Sequence, residues 1–168
     1  MDTSGPDDDL IAKRQGQTAD TGPHQLHMES WISCAPYERL LHMQIVEAAD
    51  GMATLTMPFL VHFAQGAALM HGGALTSLAD TAMAIAIKSV LPPHTHFATV
   101  HVEANYLRPV TRGIVTARAR LTGREGRKIT GETSVFNDFE EQVLAFSAKF
   151  LIARETRIKD VPVADSKK

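Results

Sequence analysis

The chain has 168 residues, a length that suits one domain with its own hydrophobic core. Charged residues make up 21% of the chain and the formal net charge is -2, so the protein has no overall basic field to bind nucleic acid or an anionic membrane. Local Lys or Arg side chains would have to bind any anionic ligand. Cys34 is the only cysteine, which excludes an intrachain disulfide and a cysteine zinc cluster.

Both ends of the chain differ in composition from its middle. Residues 1–25 are rich in Asp, Gly, Thr, Gln and Pro, and residues 154–168 are highly charged. We expect a disordered tail and a charged C-terminal tail around a single domain at residues 26–153. The N-terminal sequence lacks the basic and apolar segments of a secretory signal, and the most apolar stretch, residues 74–87, is too short to cross a bilayer. We therefore expect a cytoplasmic protein.

The first part of the domain predicts a short helix and a β-hairpin. Residues 28–34 suit a short helix that Pro36 would end. Two strand-like runs follow, at residues 40–47 and 52–57, around a favourable hairpin turn at residues 49–51. A loop then leads to the sequence His-Gly-Gly that precedes the next element.

Residues 74–90 form the most strongly predicted helix of the chain. Apolar side chains recur there at three- and four-residue spacing, and small residues occupy the other face. The recurring residues are Leu75, Leu78, Ala79, Ala82, Met83, Ala86 and Ile87. A helix that is apolar on nearly every side is expected to be wrapped by other elements.

After this helix the periodicity changes to that of β-strands. Four strand-like runs are present, at residues 98–107, 113–122, 128–137 and 142–153. Their short connections predict an antiparallel meander. Two strands, one buried helix and four strands are best accommodated in an α+β architecture, with an antiparallel sheet wrapped around one long central helix. That arrangement is the hotdog fold.

Asp80 is the only ionisable residue between Ala74 and Ile87, and it lies in the middle of the predicted helix. Aspartate is unfavourable inside a helix and costly to bury without a partner, so this position suggests a functional carboxylate. A structural explanation is equally open, because the helix could be exposed at this turn or Asp80 could accept hydrogen bonds from nearby backbone.

The segment His71-Gly72-Gly73 immediately precedes the helix. Glycines let the backbone approach a ligand closely, and free N–H groups at a helix N-terminus favour a developing negative charge. The segment could also be only a tight turn. Its distance of eight to nine residues from Asp80 suggests that an oxyanion site and a carboxylate address one small ligand.

Two motifs resemble those of the PaaI-like branch of hotdog thioesterases. They are HGGALTSLADTAMA at residues 71–84 and ATVHVEANYLRP at residues 98–109, and the similarity extends over residues 40–152. The resemblance implies an acyl-CoA thioesterase that hydrolyses an aryl- or short- to medium-chain acyl-CoA to the free acid and CoA, with no cofactor. It also implies a homodimer, or a homotetramer built from two dimers.

The resemblance assigns catalytic roles to four positions. Asp80 would act as general base or nucleophile, and the backbone N–H of Gly72 would polarise the thioester carbonyl. Gln65 would place the substrate or water, and Thr99 would orient the nucleophile. Some relatives carry that hydroxyl on the helix, where this chain has Ala84, which favours Thr99. In the family the site spans the dimer interface, with Gln65 and Gly72 facing Asp80 and Thr99 of the partner chain.

Substrate-binding positions are predicted less specifically. Arg124, Arg127 and Lys128 cluster at a predicted hairpin where relatives bind CoA phosphates, and basic side chains suit phosphate recognition. A solvated charged turn is at least as compatible with these three residues. His71 and Gly73 are further candidates for substrate contacts, although His71 is interpreted mainly as structural.

Other site chemistries have weaker support. His94, His96 and His101 lack an acidic partner or fourth histidine at suitable spacing, so we expect no metal. A hotdog dehydratase or hydratase is the alternative enzyme, but its His-Phe-Pro-Gly type loop is matched here only by His62-Phe63. A non-catalytic acyl-CoA-binding protein is a third alternative, which predicts loss of the carboxylate or an added DNA-binding segment.

Overall fold

The computed structural model describes Leu26 and residues 28–154. The predicted N-terminal tail and the C-terminal tail after Arg154 therefore lie outside the described residues. The domain boundaries expected from the sequence stay predictions. No helix in the described part of the chain is long and apolar enough to cross a membrane.

The first helix, α1, spans Pro36–Leu40, and the helix predicted at residues 28–34 is wrong. Ser30 and Ser33 explain the difference, because each hydroxyl donates to a backbone carbonyl two or three residues away and so competes with helical hydrogen bonds. Proline begins the helix instead of ending the predicted one. Its fixed φ suits the first helical position, where its missing N–H costs nothing.

The sheet has six strands. They are β1 Gln44–Ala49, β2 Met52–Pro58, β3 Phe97–Tyr106, β4 Ile114–Glu125, β5 Lys128–Phe136 and β6 Gln142–Ile152. Their order in the sheet is β1-β2-β4-β5-β6-β3, and every neighbouring pair is antiparallel. The predicted hairpin between the first two strands and the meander of the last three are confirmed.

The predicted meander is wrong for β3. This strand does not pair with β4, which follows it in the chain, but crosses to the far edge and pairs with β6. The reason is competition for strand edges, because β2 already occupies the free side of β4 along seven residue pairs. The free edge of β6 is then where β3 joins the sheet.

The central helix, α2, spans Gly72–Lys88 and begins two residues before the predicted start. Nine of its residues are buried, and it packs against the sheet. Gly131 of β5 allows close contact, because a Cβ atom there would overlap the end of the Met83 side chain and lie 2.7 Å from the Arg120 carbonyl oxygen. Thr133 of β5 donates its hydroxyl to the Ala79 carbonyl at 3.2 Å. The α+β hotdog architecture is thus confirmed.

Candidate active site

The N-terminus of α2 leaves one backbone N–H available. His71 is the N-cap residue, and its Nδ1 accepts a hydrogen bond from the Gly73 N–H at 2.9 Å. Ala74 and Leu75 donate to the His71 carbonyl oxygen. Among the described residues, the Gly72 N–H donates to no acceptor, so this group is free to bind an incoming anion or carbonyl oxygen.

Tyr106, at the end of β3, lies directly against Gly72. A Cβ atom at residue 72 would be 3.1 Å from the tyrosine ring, so this contact requires glycine or a shift of the ring. The Tyr106 hydroxyl donates to the Gly72 carbonyl oxygen at 3.2 Å and lies 2.6 Å from Thr76 Oγ1. The sequence pattern predicts no role for this tyrosine, because only tertiary structure brings it to the helix.

Gln65 lies in the same open pocket as Gly72 and Tyr106. Its loop is closed by a hydrogen bond from the Gln65 N–H to the Leu69 carbonyl oxygen at 2.8 Å. Gln65 Oε1 accepts from the Ala67 N–H at 2.9 Å, so its Nε2 group remains to donate to a ligand. The structure therefore brings together two of the four predicted catalytic positions, Gln65 and Gly72.

Asp80 and Thr99 form the second group. The Thr99 hydroxyl donates to both carboxylate oxygens of Asp80, at 3.1 and 3.2 Å. Burial raises the pKa of the half-buried Asp80 carboxyl, and the hydrogen bond from Thr99 partly opposes this rise by favouring the ionised form. A carboxylate with a raised pKa is a better proton acceptor near neutral pH than an exposed one.

A β-bulge allows both ends of β3 to face α2. Thr99 and Tyr106 are seven residues apart, so a regular strand would point them to opposite faces. The pairing of β3 with β6 shifts by one residue after Thr99, which leaves Val100 without a partner. Thr99 is thus opposite Phe150 and Tyr106 is opposite Leu144, both of which are buried on β6. The bulge re-aims one side chain relative to the other.

The two groups do not converge within one chain. Gly72 precedes Asp80 by eight residues on the same helix, which corresponds to about 12 Å along its axis. The oxygen of a thioester carbonyl polarised by the Gly72 N–H must lie within about 3 Å of that group, and the attacking group must lie within about 3 Å of the carbonyl carbon. Asp80 of the same chain is too far away to activate that group.

The predicted phosphate-binding residues lie at the Asp80 end of the sheet. Leu151 pairs with both Ala98 on β3 and Lys128 on β5, so Lys128 is two strand spacings, about 10 Å, from the residue next to Thr99. Arg127 donates to the Ile152 carbonyl oxygen at 2.8 Å, and Arg124 donates to that of Gly126 at 3.2 Å. No set of three or more His, Cys, Asp or Glu residues in the described part of the chain could hold a metal ion.

Comparison with known proteins places these residues in a family context. The model of the family described as "Thioesterase superfamily" matches residues 68–143, which include Gly72, Asp80 and Thr99. A curated protein from Halobacterium salinarum, named provisionally as an esterase, is 34% identical over 99 residues, which cover 56% of this chain and 65% of that protein. The chain thus spans slightly less than two thirds of the length of this relative.

Solved structures share the architecture. A conserved protein from Pseudomonas aeruginosa is 27% identical with a TM-score of 0.70, over 76% of this chain and all of that one. The PaaI protein from the phenylacetic acid degradation operon of E. coli is 26% identical with a TM-score of 0.65, over 70% of this chain and 83% of that one. The fold is therefore a hotdog fold. Over residues 68–143 the chain is thus similar to the thioesterase superfamily, and its fold is similar to that of a PaaI protein.

Proposed function

We propose that the protein is an acyl-CoA thioesterase that hydrolyses an aryl- or short- to medium-chain acyl-CoA to the free acid and CoA. The observation that carries this proposal is the Asp80–Thr99 pair, a half-buried carboxylate on the central helix that is oriented by a hydroxyl group. Its raised pKa suits it to accept a proton from water, and the similarity to thioesterases supports the bond that is cleaved.

The chemistry divides between the two groups of residues. Asp80 either removes a proton from the water that attacks the thioester carbonyl or attacks that carbon itself. The carbonyl oxygen becomes an oxyanion, which the Gly72 N–H stabilises by about 3–4 kcal/mol. The oxyanion then re-forms the carbonyl as the C–S bond breaks. CoA leaves as a thiolate that takes up a proton, and in the nucleophile route water afterwards hydrolyses the Asp80 anhydride.

Both groups meet if two chains pair through β3. This strand lies at the edge of the sheet, and Val100 and Val102 are 58% and 44% exposed. An unpaired edge is a template for another strand. A two-fold axis near the middle of β3 would place the Asp80–Thr99 end of one chain beside the Gly72–Gln65 end of its partner. The proposed active unit is therefore a homodimer, which two copies could double to a homotetramer.

The β4–β5 hairpin is the proposed site for the phosphates of CoA. Arg124, Arg127 and Lys128 put three cations at the Asp80 end of the sheet. Basic side chains suit these phosphates, which the pantetheine arm separates from the thioester. His71 and Gly73 lie beside the proposed oxyanion donor as further substrate contacts. The cytoplasmic location stays a prediction.

The test is release of free thiol from a panel of aryl- and alkyl-CoA thioesters by the wild-type chain and by Asp80→Asn. We expect the wild type to hydrolyse at least one of them and Asp80→Asn to lose about 1,000-fold or more in kcat while still binding CoA. Crotonyl-CoA is included to measure hydration of the double bond. Hydration without thiol release would indicate the dehydratase alternative, and saturable binding without turnover would indicate a binding protein. Either result would contradict the proposal.

A further inference from the structure

Among the described residues, Tyr106 contacts the first residue of α2 through both its ring and its hydroxyl. The ring fills the space beside the Gly72 Cα, and the hydroxyl donates to the Gly72 carbonyl oxygen at 3.2 Å. The same hydroxyl lies 2.6 Å from Thr76 Oγ1. A phenol has one hydrogen to donate, so with that hydrogen on Gly72 the Thr76 hydroxyl must donate to Tyr106.

These contacts act on the residue that carries the unpaired N–H. The remaining backbone around it is already fixed, because Met70 donates to the Val110 carbonyl oxygen and His71 donates to that of Phe63. Gly72 has no side chain to restrict its backbone rotation, and glycine has wide backbone freedom. The Gly72 N–H shares a peptide unit with the His71 carbonyl, which accepts from Ala74 and Leu75. The His71 cap and the Tyr106 hydroxyl hold the next unit, at the Gly73 N–H and the Gly72 carbonyl oxygen, and the Tyr106 ring lies beside the Cα that joins the two units.

We propose that Tyr106 is a positioning residue for the thioester reaction, which aims the Gly72 N–H at the oxyanion through a Thr76–Tyr106–Gly72 hydrogen-bond chain. This inference rests on the proposed function, because an oxyanion donor has a role only if an acyl group is transferred. An oxyanion donor is effective only when it is held in place before the charge develops. Tyr106 supplies that restraint without using the N–H itself.

The chain provides a matched control for this role. Its only other tyrosine, Tyr37, also bonds to α2 through its hydroxyl, at 2.7 Å from Ser77 Oγ. Ser77 donates to the Gly73 carbonyl oxygen, so Tyr37 is connected to the same turn of the helix but has no hydrogen bond to Gly72. Tyr37→Phe and Tyr106→Phe each remove one hydroxyl and keep the ring.

The experiment compares kcat, KM and the pH profile of the full-length wild type, Tyr106→Phe, Tyr37→Phe and Asp80→Asn, using the best acyl-CoA of the panel. We expect Tyr106→Phe to lower kcat about ten- to a hundredfold, because small misplacements of a catalytic group are costly. The KM of Tyr106→Phe should stay within about twofold of the wild-type value. The acid limb of its pH profile should not move, because Asp80 is unchanged. Tyr37→Phe should leave kcat unchanged.

The outcomes separate this inference from the proposed function. If Asp80→Asn loses activity but Tyr106→Phe retains kcat within about twofold of wild type, only the role of Tyr106 is overturned. Equal losses of kcat in both tyrosine variants would also overturn it, since they would reflect general anchoring of the helix. Full activity of Asp80→Asn would instead reject the proposed catalytic site. Circular dichroism checks folding, and if Tyr106→Phe does not fold, Thr76→Val is measured by the same criteria.

Discussion

At the scale of single residues, two opposing effects set the ionisation of Asp80. Burial in the helix–sheet layer disfavours its charged form, and the Thr99 hydroxyl favours that form by donating to both oxygens. The balance leaves the pKa above the ordinary value for aspartate. The proposed reaction needs the ionised carboxylate, so its activity should fall as the pH decreases through this raised pKa.

Replacing Thr99 by valine should move the acid limb of the pH profile to higher pH. Valine keeps the shape of the side chain but removes the donor that stabilises the Asp80 carboxylate, so the pKa of Asp80 rises further. The measurement is kcat/KM as a function of pH for Thr99→Val and the wild type. A profile with an unchanged acid limb, or one shifted to lower pH, would show that Thr99 does not control the ionisation of Asp80.

Replacing Asp80 by asparagine should stabilise the folded chain at neutral pH. The pKa of Asp80 is higher in the folded state than in an exposed chain, so folding disfavours its ionised form. The gain in the free energy of unfolding from Asp80→Asn should therefore be absent below the pKa of Asp80 in the unfolded state. It should build up between that pKa and the pKa in the folded state, and stay constant above the folded-state pKa. Urea unfolding from acidic to neutral pH measures it.

This expectation would be contradicted if Asp80→Asn were less stable than the wild type at neutral pH, or if the difference in stability between the two did not change with pH. Glu140 offers a comparison, because the Arg118 guanidinium lowers the pKa of its exposed carboxyl. As the pH is raised, the effect of Glu140→Gln on stability should change in the opposite direction to that of Asp80→Asn. The change should be small, since exposed ion pairs contribute little.

At the scale of the elements, the central helix depends on one close contact with the sheet. Gly131→Ala would push a methyl group into the Met83 side chain and to within 2.7 Å of the Arg120 carbonyl oxygen, which is backbone and cannot easily move. We expect a loss of about 1–3 kcal/mol in the free energy of unfolding, the usual cost of overpacking a core. Chemical denaturation followed by circular dichroism measures this loss.

Gly66→Ala is the control for that prediction. A Cβ atom at residue 66 has no heavy atom within 4 Å, and its φ does not lie in the left-handed region. This variant should keep the wild-type stability or gain a few tenths of a kcal/mol from its stiffer unfolded chain. Equal stabilities of the two variants would show that the helix and β5 are not in close contact at Gly131.

Patterns along the chain predicted where the helices and strands lie better than they predicted which elements are adjacent in space. The periodicity of α2 and the hairpin at residues 49–51 reflect local physics, and both are confirmed. The edge position of β3 depends on which strand edges are already occupied, which no local pattern records. The start of α1 at Pro36 was missed because hydroxyl groups of Ser30 and Ser33 compete with helical bonding upstream.

The same distinction applies to the candidate site. Asp80 was a candidate from the residues alone, with a structural explanation equally open, because an ionisable side chain in an apolar helix is unusual. Roles for Gly72, Gln65 and Thr99 came from the resemblance, and the structure places these three residues and Asp80 in two pairs, Gln65 with Gly72 and Asp80 with Thr99. Tyr106 was missed because the bulge after Thr99 conceals that both residues face α2.

At the scale of the whole molecule, the separation of the two pairs predicts that two inactive chains can restore each other. Asp80→Asn damages one half of the site, and Gly72→Pro removes the proposed oxyanion N–H from the other. In a mixed dimer, one of the two sites would contain both intact halves. Random exchange makes half of the dimers mixed, so about a quarter of the wild-type activity should return. Thiol release by each variant and by the mixture measures this recovery.

Gly72→Ala is the matched control, since it adds the same Cβ atom beside the Tyr106 ring but keeps the N–H. It should retain much more activity than Gly72→Pro, and circular dichroism should show that both fold. Sedimentation of labelled chains verifies that subunits exchange. A mixture that exchanges but remains inactive would show that each site is built within a single chain.

The bulge in β3 also has a consequence for how this site can change during evolution. Val100 is one extra residue in the strand. The residues that face the helix therefore have odd numbers before it, as Thr99 does, and even numbers after it, as Tyr106 does. Removing one residue between Thr99 and Tyr106 would turn one of the two hydroxyls outward unless the bulge were lost as well. Among proteins that keep both hydroxyls on α2, we expect the separation to be odd with the bulge and even without it. The parity of that spacing can therefore be read from a sequence as a marker of the bulge.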